Sequence, residues 1–139
     1  LLVAQSAEPN SAQVENKLLM QQKLDQAQLL LEGLAMGDFA KIEQCAGELR
    51  RINTQSNVIR ADAKYIEYSA QFLQATERVA KMAQKQNLEG ATLNYVQVIM
   101  TCVECHKAVR GTQEVAWNSL TPSYSTFGAG PGLEPLHGD

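Results

Sequence analysis

The chain has 139 residues, enough for one domain around a single core. Its formal net charge of -3 comes from interspersed acids and bases, which gives nucleic acid no basic face to bind. No apolar run approaches the roughly 18 residues of a membrane span, and the Ala, Gln, Leu, Glu and Lys that dominate the first 110 residues predict helices.

The opening Leu1-Leu2-Val3-Ala4-Gln5-Ser6-Ala7 has the apolar-then-small order that precedes a signal-peptide cleavage site. It equally suits a frayed terminus, and residues 1–10 stand apart on either reading. A first helix is predicted to open after Pro9-Asn10, where Asn10 and Gln13 have capping-box spacing. Met20, Leu24, Ala27, Leu31 and Leu34 form its apolar seam. Gly37 should stop it and Asp38 should cap the next.

The second helix carries Ile42, Cys45, Ala46, Leu49 and Ile52 on one face. The polar cluster Asn53-Thr54-Gln55-Ser56-Asn57 then predicts a loop. Cys45 reads as a small buried hydrophobe. The third helix is expected over residues 58–86, with Ile59, Ala63, Ile66, Ala70 and Leu73 as its stripe and Tyr65, Phe72 and Val79 widening it.

The fourth helix, over residues 91–110, contains Cys102-Val103-Glu104-Cys105-His106. Val96, Ile99, Cys102, Val103, His106 and Arg110 should share one face. Gly111 is a natural terminator. Beyond it, Pro122, Pro131 and Pro135 mix with glycines, so residues 112–139 read as a flexible tail. Short connections between amphipathic helices predict an all-α, antiparallel up-down-up-down four-helix bundle over residues 11–111.

C-x-x-C-H is the order of groups at which haem c is attached: two thiols for the two vinyl groups and an adjacent imidazole for the iron. A redox C-x-x-C would want a βαβ setting, and no strand-like alternation precedes it. A structural zinc site would want two spaced ligand pairs, and only Cys45 and His137 are left to supply the second.

A helical bundle with this motif late in its last helix resembles the class II c-type cytochromes, the cytochrome c′ family. The resemblance spans residues 11–111. It implies thioethers from Cys102 and Cys105, His106 as proximal iron ligand, and Arg110 as the basic residue beside the proximal haem face. Many relatives carry Tyr before that Arg, whereas this chain has Val109.

The family divides at the distal position, which some members leave open and others fill with a Met from the first helix. Met20 is the residue at that place here. It reads either as that ligand or as core filler, because Met suits both.

The expected function is a periplasmic c-type cytochrome that carries single electrons to and from redox partner proteins. The alternative is a five-coordinate cytochrome c′ that binds nitric oxide or carbon monoxide. A peroxidase-like enzyme would want distal His or Arg, and the first helix has neither. Family members often dimerise through the first two helices. Gln21, Gln22, Gln26 and Gln28 suit such a homodimer or solvent equally.

Overall fold

A computed structural model describes the backbone of residues 10–60 and 62–118 and the side chains of this span up to Val109. Four helices make up the described chain: α1 (Ser11–Met36), α2 (Phe39–Ile59), α3 (Ala63–Gln84) and α4 (Leu88–Asn118). No strand occurs among the described residues. No helix there is long and apolar enough to cross a membrane. The predicted all-α four-helix bundle is the observed architecture.

Each helix begins at an Asn or Asp, because a short side-chain oxygen satisfies N–H groups that the first turn leaves unpaired. Asn10 accepts from the amides of Ala12 and Gln13, and the Gln13 side chain accepts from the Asn10 amide, completing the predicted capping box. Asp38 accepts from Lys41 N–H at 3.0 Å and Asp62 from Tyr65 N–H at 2.9 Å. Asn87 accepts from Gly90 N–H at 2.8 Å. Gly37 ends α1 at φ +66, a left-handed conformation that glycine adopts without steric cost.

Several boundaries and faces differ from expectation. The predicted loop at residues 53–57 is helical, because its polar side chains find partners inside the helix or across it. Thr54 and Ser56 hydroxyls donate to the carbonyls of Arg50 and Ile52, and Asn53 is buried against α3. Helix α3 therefore starts five residues later than expected, at Ala63 rather than near 58.

The buried face of α3 is Tyr65, Ser69, Phe72, Ala75, Thr76, Val79 and Ala83; Ile66 and Ala70, from the expected stripe, are exposed. Ser69 and Thr76 disguised that face as polar, although Thr76 satisfies its hydroxyl on the Phe72 carbonyl at 2.8 Å. Gly111 does not stop α4, which runs on to Asn118. One interior Gly costs about 1 kcal/mol, and Gln113, Glu114 and Ala116 beyond it are good helix formers. The expected tail is thus helical over its first seven residues; residues 119–139, like 1–9, lie outside the described span.

Packing is sequential: α1 lies on α2, α2 on α3 and α3 on α4, while α1 and α4 barely meet. One end of the bundle is filled. There Leu30, Leu34, Ile42, Cys45, Leu49, Phe72, Ala75, Val79, Ala83, Ala91 and Val98 form one continuous cluster. All five residues expected on the inner face of α2 are buried, Cys45 among them. At the other end α1 and α4 diverge around a cavity.

In α1 this division rotates the core. Leu19, Ala27, Leu30 and Leu34 are buried, whereas Leu24 and Leu31 of the expected seam are 51% and 52% exposed. A 3.6-residue helix drifts away from a strict seven-residue seam over this length.

Candidate functional site

The cavity measures about 480 Å³, within the roughly 300–1,000 Å³ of small-molecule and cofactor sites. Its apolar wall comes from Met20, Leu24 and Ala27 of α1, Phe72 of α3, and Ile99 and Val103 of α4. Cys102, Cys105 and His106 all open onto it from α4, and Met20 opens onto it from the facing α1. These are four of the five residues singled out from sequence. The fifth, Arg110, has its backbone on α4, and its side chain lies outside the described residues.

Helical spacing explains the convergence. Residues 102, 105 and 106 lie at i, i+3 and i+4, so they share one face one turn apart. The predicted face of α4 was displaced in part: Val98 and Thr101 are buried, while Val96 is exposed to solvent. Cys102 and Cys105 are half-buried, and His106 is exposed at the cavity rim. Tyr95 ties the filled side of the opening by donating from its hydroxyl to the Ala27 carbonyl at 3.0 Å.

The thiols are neutral at ordinary pH. Burial pushes both Cys102 and Cys105 up from their usual value, with the Lys23 ammonium pulling the other way. A redox-active C-x-x-C pair needs a depressed thiol pKa, so this environment does not resemble such a pair. They are free of each other, with no disulfide between them. Nor do three or more His, Cys, Asp or Glu side chains cluster as a metal site among the described residues.

Sequence reasoning missed the small polar patch of the cavity. Lys23 Nζ donates to Asn53 Oδ1 at 2.9 Å and sits 4.8 Å from the centre of the Phe72 ring. Asn53 Nδ2 donates to Ser69 Oγ at 2.9 Å and to the Ser69 carbonyl at 3.2 Å. The Ser69 hydroxyl in turn donates to Asn57 Oδ1. Burial lowers the Lys23 pKa to about 8. The Tyr65 hydroxyl is buried with no partner in hydrogen-bonding geometry among the described residues. Burial raises the pKa of that phenol, and the nearby Ser56 hydroxyl partly offsets the rise. An Asn in what looks like a loop and a Lys in what looks like a solvated face carry no signal in one sequence.

These residues fit a haem. Two thiols, an imidazole and a thioether are the donors that haem c uses. The wall is mostly apolar, as the ring would require. No family model, curated protein or solved structure matches this chain.

Proposed function

We propose that this chain is a periplasmic c-type cytochrome of the cytochrome c′ kind, carrying single electrons through one covalently attached haem c. The supporting observation is that Cys102, Cys105 and His106 meet Met20 at one apolar cavity between two helices that otherwise barely touch. When bound, haem supplies an iron that cycles between ferrous and ferric states.

The chain's own residues do the rest. Cys102 and Cys105, one helical turn apart, would hold the group by thioethers. His106 would hold the iron from α4, and Met20, which lines the same cavity from α1, would supply a second ligand. A thioether ligand favours the ferrous iron and raises the potential. Phe72 and Ile99 would give the ring apolar contact. Arg110 enters by its place four residues after His106. Single-electron transfer needs no substrate chemistry, so the chain is not read as an enzyme, and its partners are redox proteins.

The test is direct. Protein matured with a cytochrome c assembly system should retain one haem after denaturation and acid-acetone extraction, seen by mass spectrometry. Its ferric spectrum should be low-spin with the long-wavelength charge-transfer band of Met–iron ligation. An apoprotein mass would end the haem reading. A high-spin ferric form that takes up carbon monoxide readily would keep the haem and move the chain to the five-coordinate, gas-binding kind.

A further inference from the structure

We propose that the chain's own C-terminal segment, residues 119–139, docks along an exposed apolar strip between α1 and α4. Neither the strip nor the segment depends on a haem.

Leu24 and Leu31 of α1 are exposed two turns apart on one face. On α4, Leu93, Val96, Met100 and Val103 are exposed at i, i+3, i+7 and i+10, again on one face. The two rows flank one seam. Leu24 and Val103 sit at the rim of the cavity from opposite sides, and the Tyr95 hydroxyl reaches the Ala27 carbonyl across the same seam. Elsewhere α1 and α4 barely meet, so the rows stay open to solvent. Large apolar side chains gathered on one face mark a surface that something covers.

The strip is also free of charge. No acidic or basic side chain occurs in α4 over residues 91–103 or in α1 over residues 26–31. The other exposed apolar row of α1, at Leu18 and Leu29, is different, because helical spacing sets Asp25 and Glu32 beside it.

An uncharged apolar strip is best covered by an uncharged segment, because a charge laid on it loses water and gains no partner. Residues 115–133 carry no charge, and they and residues 91–103 are the two longest uncharged runs in the chain. Leu120, Tyr124, Phe127 and Leu133 supply large apolar groups within that run. Pro122 and Pro131 reduce the freedom the segment loses on docking.

The segment is long enough. Helix α4 ends at Asn118, about 22 Å along its axis from Val103 and about 38 Å from Leu93 at about 1.5 Å per residue. Residues 119–139 reach about 70 Å when extended, which lets them turn back and run the length of the strip. Tethering gives the segment an effective concentration of about millimolar, which a second copy of the chain matches only in concentrated solution.

The test uses the full-length protein with a benzophenone amino acid in place of Phe127. Isotopically light and heavy copies are mixed and irradiated, and mass spectrometry identifies the attached peptides. Docking predicts cross-links within one copy, to residues 93–103 of α4 or 24–31 of α1. Leu93→Gln with Val96→Gln should lower their yield several-fold, because two covered aliphatic side chains are lost. Val58→Gln, at an exposed apolar position of α2, should leave it unchanged.

Cross-links between light and heavy copies would place a second copy on the strip and overturn the proposal. Attachment at Leu18 or elsewhere on the bundle would overturn it too, as would an unchanged yield in the Leu93→Gln, Val96→Gln pair. No attachment at all would leave the strip to another protein and have the same consequence.

Discussion

Met20 shows what a single side chain contributes and how far it is legible. Its seam position in α1 is readable from sequence, yet spacing alone does not separate a ligand from a filler. In the structure it lies on the cavity wall facing the helix of His106, and it belongs to no part of the filled core. In the haem-loaded protein of the proposed reading, Met20→Ala should therefore cost little stability, shift the ferric iron toward high spin, lower the potential and speed carbon monoxide binding. Absorption spectra and stopped-flow gas binding measure these. The motif residues were legible because C-x-x-C-H is a chemical signature in its own right. Lys23, Asn53 and Tyr65 were not, because their meaning comes from α1, α2 and α3 meeting in space.

At the scale of elements, caps and close crossings set the fold. Asp62 caps α3, and the Tyr65 amide first, then Arg60, hold its carboxyl below the usual aspartate value of 3.8. A depressed folded pKa means the carboxylate stabilises the native state above the unfolded value, and the benefit is lost as pH falls through the folded one. Asp62→Asn keeps a capping oxygen and removes the titration. It should flatten the acid limb of the stability curve below about pH 4, measured by urea denaturation across pH.

The α1–α2 crossing depends on Gly33. A Cβ there would lie 3.2 Å from Ile42 Cγ1 and 3.4 Å from the Ile42 backbone nitrogen. Gly33→Val should cost about 2 kcal/mol or more by overpacking. Gly47 has nothing within 4 Å of the same atom, so Gly47→Ala should stabilise by about 0.5–1 kcal/mol through helix propensity. Denaturant midpoints check both.

Start signals at Asn10 and Asp38 were legible because capping is local chemistry. The extension of α2 to Ile59 was not. A run of Asn, Thr, Gln and Ser says loop until Asn53 is seen buried against Ser69 of another helix.

The whole molecule is divided along its length, and that division yields the most demanding prediction. The filled end holds its own apolar cluster from all four helices, whereas the motif end opens into a cavity of about 480 Å³ lined by Met20 and Cys102. That cavity is open to solvent, so with nothing in it the apolar wall around Phe72, Ile99 and Val103 faces water at roughly 25 cal/mol per Å². Water admitted beside Lys23 lowers the penalty but cannot replace apolar contact with Phe72 and Leu24. Cys102→Ala combined with Cys105→Ala, which removes both attachment points, should therefore abolish the cooperative thermal transition seen by circular dichroism. The loss should be uneven. Hydrogen exchange should retain some protection around Leu30, Ile42, Val79 and Val98, and lose it around Met20, Tyr65 and Cys102. Equal native-like protection at both ends, with a sharp melting transition, would mean that the helices hold the cavity open unaided and that no large apolar group is needed to complete the fold.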